Sequence, residues 1–229
     1  MSAAVPPAPV HEARFGLPRV DSIVFDLDGT LWDTCPACAV GWNQVRDRNR
    51  ISFRDVTADN VRSVAGKPHE ACIREIYQGL DEAELRILID QTRTEDVRVV
   101  RELGGSLYPG VADGLRRLAS RYPLFVVSNC QSGYIEMFLD TTELASCFRD
   151  HECWGNTGLP KAVNLARVIE RNQLQAAVFV GDGEGDEEAA LACEVPFVHA
   201  AYGFGRSRAP LATIGAFDEL VEALCVRSG

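Results

Sequence analysis

Phe25-Asp26-Leu27-Asp28-Gly29-Thr30-Leu31 ends an apolar run that begins at Ser22-Ile23-Val24, and this junction decides the fold. Within residues 21–28, Ile23-Val24-Phe25 are β-branched and aromatic up to Asp26, without the polar alternation of a half-exposed strand. That pattern predicts a short strand buried on both faces, as in a parallel sheet. The two aspartates lie two residues apart, so on an extended chain their side chains point the same way. Working outward, segments 123–128 and 177–181 have the same form. Segment 195–199 is a weaker strand because Pro196 has no N–H to donate, and 147–153 adds a short one. Helical periodicity fills the intervals at 111–121, 161–171, 184–193 and 217–226. Strands alternating with helices predict an α/β fold, a parallel sheet core with helices on both faces.

Segment 34–106 breaks this rhythm. It holds amphipathic stretches at 36–50, 58–65, 68–79 and 81–103 and no convincing strand, so it reads as a helical insertion placed after the first strand. Residues 1–18, rich in Ala and Pro and without an apolar core, read as a flexible tail and not as a signal peptide.

The chain has 229 residues, 46% of them hydrophobic, and a formal charge of −10. That length supports a buried core without disulfide or metal staples. The acidic balance argues against nucleic acid and anionic membrane surfaces as partners. No apolar run reaches the ~20 residues of a membrane helix. Several of the eight cysteines sit in apolar segments and read as buried free thiols of a cytoplasmic protein. Cys35-Pro36-Ala37-Cys38 has redox or zinc spacing, but no second C-x-x-C or H-x₃-H completes a zinc set. Of the 23 basic residues, 21 are Arg and two are Lys, Lys67 and Lys161. Where Arg is the default cation, a retained Lys suggests a place that needs a compact ammonium.

In open parallel sheets, ligands lie beyond the carboxyl ends of the strands. There the chain has Asp26-Leu27-Asp28-Gly29-Thr30, then Ser128-Asn129, then Gly181-Asp182-Gly183-Glu184-Gly185-Asp186, and Lys161 opens a helix after Pro160. Asp26, Asp28, Asp182 and Asp186 at one rim would be unstable without a cation, and oxygen-only ligands favour a hard ion such as Mg²⁺. Ser128, Asn129 and Lys161 are expected to bind phosphate oxygens. Gly29 is expected to bring its backbone N–H near the phosphate, with Thr30 beside it.

These motifs, in this order, resemble those of the haloacid dehalogenase-like hydrolase superfamily. Residues 25–31 resemble its first motif, Ser128 its second, Lys161 its third and Gly181-Asp182 with Asp186 its fourth. Tyr108-Pro109-Gly110-Val111 and Ala201-Tyr202-Gly203-Phe204-Gly205 resemble the phosphoglycolate phosphatase-like branch. The one departure is Gly183, where many members carry Thr or Ser, which puts a supporting hydrogen bond in doubt. The resemblance implies a Rossmann-like core at 19–33 and 107–229 and a small all-helical cap domain at 34–106. It implies a Mg²⁺-dependent phosphatase in which Asp26 is the nucleophile and forms an aspartyl-phosphate. Asp28 would be the acid and base, and Lys161 and Ser128 would hold the transferring group. Asp26, the Asp28 carbonyl and Asp182 would bind the metal, with Asp186 assisting directly or through water.

The acid at position 28 separates phosphate chemistry from dehalogenation, because dehalogenases of this fold lack it. A sugar phosphomutase shares the full motif set. A phosphonoacetaldehyde-type hydrolase would need a Schiff-base lysine in the cap, for which Lys67 is the candidate. An inactive binding module would usually have lost one of the motif residues. The expected substrate is a small phosphorylated metabolite, phosphoglycolate-like or a sugar phosphate, acted on by a monomer or homodimer. Lys67 and His69, with Arg46 or Arg50, are expected to contact the non-reacting end of the substrate.

Overall fold

The computed structural model describes residues 19–225; the tail expected at 1–18 lies outside them. β1 (Ser22–Phe25) is buried along its whole length. Its side chains alternate between two apolar layers, as a pleated strand requires. Ile23 and Phe25 join one layer and Val24 the other. Phe25 stacks on Phe217 with ring centroids 5.9 Å apart.

Two short strands, β2 (Trp32–Asp33) and β3 (Ser106–Leu107), pair antiparallel and close the base of the insertion. Between them lie α1 (Cys35–Arg48), α2 (Ala58–Arg62), α3 (His69–Ile76) and α4 (Glu82–Leu103). Capping explains where two of these start. Thr57 and Asn60 form a reciprocal box at α2, and Asp81 and Glu84 do the same at α4. Gly104, with φ of 80°, ends α4 in a conformation that a side chain would strain. The helical insertion is thus observed; the β2–β3 ribbon was not foreseen, because two residues are too few to show a period.

The chain continues through α5 (Val111–Ala119), β4 (Leu124–Ser128), α6 (Tyr134–Thr142), β5 (Phe148–Cys153), α7 (Trp154–Thr157) and α8 (Lys161–Arg171). β6 (Ala177–Gly181), α9 (Glu184–Ala192), β7 (Phe197–Ala200), β8 (Ala212–Ile214) and α10 (Phe217–Cys225) follow. All pairings in the main sheet are parallel, and its order is β5-β4-β1-β6-β7-β8. α8 and α9 cover one face through Leu165, Val168, Ala189 and Ala190. α5, α6 and α10 cover the other through Leu115, Phe138 and Leu220. This is the Rossmann-like arrangement expected. β7 is an interior strand despite Pro196, because the proline lies just before the strand and contributes only its carbonyl, which accepts from Phe179 N–H at 2.9 Å. No described helix is long and apolar enough to cross a membrane.

The strand order reverses at β1. The chain runs outward to β5 on one side and returns to β6 on the other, which leaves the crevice beyond β1 and β6 uncovered by a crossover.

Candidate active site

Asp26 follows β1 directly, and its N–H donates to the Val180 carbonyl of β6 at 2.8 Å. Asp182 comes one residue after β6, so two carboxylates arise from adjacent strands at the switch point. Lys161, the first residue of α8, is only 5% exposed. Its Nζ donates to Asp26 Oδ1 at 2.7 Å and to Asp186 Oδ1 at 2.5 Å. Asp186, in the first turn of α9, accepts through Oδ2 from the N–H groups of Asp182 and Gly183 at 3.2 and 3.0 Å. These bonds need no side chain at position 183, so the Gly183 departure leaves Asp186 held. Gly181, by contrast, is required: a Cβ there would lie 2.5 Å from the Asp186 Cβ.

The loop Tyr202-Gly203-Phe204-Gly205 fixes the other acid. Phe204 and Gly205 donate their N–H groups to Asp182 Oδ2 at 2.7 and 2.9 Å. Gly29 has φ of +86°, and a Cβ on it would lie 2.5 Å from Asp182 Oδ2. Its N–H, expected near a phosphate, instead donates to the Trp32 carbonyl at 3.0 Å, so its role here is to give room. Thr30 is fully buried; its carbonyl accepts from the Tyr202 hydroxyl, and its Oγ1 has no partner. Ser128 ends β4 buried and accepts from Cys130 N–H at 3.3 Å. Asn129 reaches the insertion, donating to the Gly66 carbonyl at 2.8 Å.

Carboxylate oxygens of Asp26, Asp182 and Asp186 lie within 4.8 Å of one another. Three carboxylates against the one ammonium of Lys161 leave two negative charges uncompensated. Burial, then Asp186 and Asp182, push Asp26 upward against the pull of Lys161. Burial and Asp186 push Asp182 up to about 6. Asp26 Oδ2 is buried with no hydrogen-bond partner. A buried, all-oxygen donor set short of two positive charges, with one free oxygen, fits a hard divalent cation.

Asp28 lies outside this triad. It accepts at Oδ1 from the Tyr134 hydroxyl (3.2 Å) and from Thr34 Oγ1 (3.4 Å), two hydroxyls that are themselves 2.6 Å apart. Burial pushes its carboxyl up to about 6. Tyr134, on a helix not foreseen from the sequence, holds Asp28 in place. Tyr134→Phe is expected to lower kcat by about tenfold with KM little changed, because it would loosen a carboxyl held beside Asp26. Steady-state kinetics checks this, and an unaltered kcat would remove Tyr134 from the site.

The insertion closes a cavity over these groups, with a volume of about 600 Å³ counting its open mouth. Lys67, His69, Cys35 and Cys38 all line it. Lys67 pairs with Glu75 at 2.5 Å, and both side chains are about half exposed. Arg46 and Arg50 do not line the cavity, contrary to expectation. Arg46, buried on α1, is held by the Arg54 carbonyl, Asp47 and Asp55, and Arg50 is an exposed residue in the turn after α1. All eight cysteines are free thiols, and burial pushes Cys35 and Cys38 upward, which leaves them unreactive.

The family model described as haloacid dehalogenase-like hydrolase matches residues 23–200, from β1 through β7. The chain belongs to this family. Among curated relatives of the hydrolase is a phosphoglycolate phosphatase of Pseudomonas putida, 28% identical over 84% of this chain and 72% of the relative. One of Rhodospirillum rubrum is 29% identical over 86% of this chain and 87% of the relative. The branch expected from residues 108–111 and 201–205 is therefore borne out. Solved structures share the fold: a haloacid dehalogenase-like family protein of Streptococcus pneumoniae superposes with a TM-score of 0.77 at 20% identity, over 88% of this chain and 97% of that one.

Proposed function

We propose that the hydrolase is a Mg²⁺-dependent phosphatase of small phosphorylated metabolites that works through an aspartyl-phosphate on Asp26. The observation that carries this reading is the unequal treatment of two neighbouring acids. Lys161 donates to Asp26 and pulls its carboxyl downward against burial, and a bound divalent cation would add to that pull, whereas Asp28 is hydrogen-bonded only by hydroxyls. Two carboxyls in contrasting environments suit a nucleophile and an acid.

In the first half-reaction, Asp26 attacks phosphorus while the bond to the leaving alcohol breaks. Asp28 gives its proton to that departing oxygen. In the second, Asp28 accepts a proton from water, the water attacks phosphorus, and the Asp26–phosphorus bond breaks. A Mg²⁺ ion held by Asp26, the Asp28 carbonyl and Asp182, with Asp186 behind them, would neutralise charge on the phosphoryl oxygens. Lys161 lessens the repulsion between Asp26 and the incoming anion, and Ser128 and Asn129 bind phosphoryl oxygens. Residues 19–33 and 107–229 act as the core, and 34–106 as a cap whose closure excludes water. The cavity lined from both sides and the Asn129–Gly66 contact support this division. Eight free thiols, seven of them buried, suit the reducing cytoplasm.

The test is release of phosphate from an aryl phosphate in Mg²⁺ buffer by the wild type and by Lys161→Ala. The wild type is expected to turn over, and the variant to lose about 10²–10³ in kcat with a smaller change in KM. Wild-type protein that releases no phosphate, or a variant with unchanged kcat, would contradict the reading.

A further inference from the structure

The cavity over Asp26 and Asp28 has two unlike halves. On the core side, Asp26, Asp28, Ser128 and Asn129 make it polar. On the cap side, Cys35, Cys38 and Trp42 of α1, Val61 of α2, Val64 just beyond it and Cys72 of α3 form a wall, each at most 7% exposed. The indole N–H of Trp42 donates to Asp96 Oδ1 at 2.8 Å, which leaves ring carbon for a ligand. Cys38 donates to Thr34 Oγ1 at 3.8 Å, and Cys72 to the Val64 carbonyl at 3.2 Å. Thiols whose hydrogens are bonded within the protein present a soft, apolar surface.

The polar groups of the cap half are bonded to one another. Asp96 accepts from Trp42 and, at 3.5 Å, from Gln131 Nε2. Burial pushes its carboxyl up to about 8, so near neutral pH it keeps a proton and adds no charge. The Thr92 hydroxyl donates to the Leu88 carbonyl at 2.6 Å, so at its 2.9 Å contact with His69 Nε2 the hydroxyl oxygen accepts. Burial holds that ring down at about 4 and therefore neutral, and its Nδ1 has no accessible surface. The one cation among the described lining residues, Lys67, pairs with Glu75 at the half-exposed mouth. The cavity is thus polar where a phosphoryl group would sit and apolar where the leaving alcohol would.

We propose that the hydrolase prefers phosphomonoesters of apolar alcohols, chains or rings whose carbon surface lies against Trp42, Val61, Val64 and the cap thiols. This rests on reading the Asp26 site as a phosphatase, and it names the class of the leaving group. The volume, about 600 Å³ counting the open mouth, is larger than the two carbons of glycolate fill. Carbon laid against an apolar wall removes both surfaces from water, worth about fourfold in affinity for each methylene buried. Asp96 with its proton meets a hydroxyl tip or a carboxylate tip alike, so apolar length, and not the terminal group, decides between ligands.

Ethyl, butyl and hexyl phosphate share one head group and differ in carbon alone, and phosphoglycolate is the short polar comparison. Their dissociation constants are measured calorimetrically in Mg²⁺ on the catalytically blocked Asp26→Asn protein, with and without Val61→Thr. Threonine is close to valine in size and puts a hydroxyl on the wall. Each two added carbons are expected to tighten binding by about tenfold, and Val61→Thr to reduce the hexyl-to-ethyl ratio by about threefold. Hexyl phosphate is expected to bind at least about tenfold tighter than phosphoglycolate. A flat or falling series, or phosphoglycolate binding as tightly as hexyl phosphate, overturns the proposal, and both comparisons stand even if Val61→Thr does not fold. A hexyl-to-ethyl ratio that survives Val61→Thr unchanged overturns it as well, because the carbon chain then lies elsewhere. Turnover of the same esters and of phenyl phosphate by the wild type is followed in parallel. If none is hydrolysed, the phosphatase reading fails, while the binding series still judges the wall.

Discussion

Asp26→Asn is expected to reduce phosphate release to background, a loss of at least about a thousandfold in kcat, while the protein still folds. Asparagine has the same shape but no anionic oxygen to attack phosphorus. The fold tolerates the change because Asp26 enters the sheet through its backbone, by the N–H bond to Val180, and because Lys161 keeps Asp186 as a partner. Circular dichroism and a melting curve check the fold, and aryl phosphate kinetics checks the activity. Retention of about a tenth of the wild-type kcat would exclude Asp26 as the nucleophile, since loss of a covalent catalyst leaves far less.

Removal of divalent metal is expected to have an effect of the same order. EDTA should abolish turnover, Mg²⁺ restore it, and Ca²⁺ inhibit, because calcium's larger and looser coordination spoils the in-line geometry. A second readout is independent of activity. Without metal, the folded protein holds protons on Asp28 and Asp182, both pushed up to about 6, and on Asp26, which is also raised. The unfolded chain releases those protons near the ordinary carboxylate value. The folded state therefore binds more protons in this interval, and stability falls as pH rises from about 4 through about 6, with Asp96, which burial pushes up to about 8, extending the fall. His69, pushed down to about 4, works in the opposite direction, but as one group against several carboxyls. Mg²⁺ should raise the melting temperature at neutral pH and do so much less at pH ~5, where the carboxyls hold protons that the metal must displace. Equal Mg²⁺ stabilisation at both pH values, or full activity in chelator, would contradict the metal assignment.

Much of the core was legible because its signals are local. A strand buried on both faces leaves an unbroken apolar run, and a helix packed on a sheet leaves a 3.6-residue period. β1, β4 and β6 and helices α5 and α8 follow those patterns closely. The acids at 26, 28, 182 and 186 and the ammonium at 161 were legible from their positions after strands or at helix starts, and the fold brings them together. What was missed depends on long-range contact. Tyr134 is 106 residues from Asp28, and the amides of Phe204 and Gly205 are 22 and 23 residues from Asp182. Backbone N–H groups leave no mark in a sequence beyond the glycines that let them approach. The lysine count drew attention to Lys67, yet Glu75, eight residues on in α3, pairs with it. Asp96 carries no local mark in the sequence of α4. Only the packing of α1 against α4, with Trp42 donating to it, shows that it faces inward.

A phosphoryl group carried covalently on Asp26 can be trapped with borohydride during turnover. An acyl phosphate is reduced by borohydride to an alcohol, so quenching at steady state should convert residue 26 to homoserine in a fraction of molecules. Peptide mass spectrometry would find that change at position 26 and nowhere else, and it would vanish in the Asp26→Asn protein. Unmodified Asp26 in protein quenched while releasing phosphate, or a reduced substrate adduct on Lys67 in its place, would contradict the account.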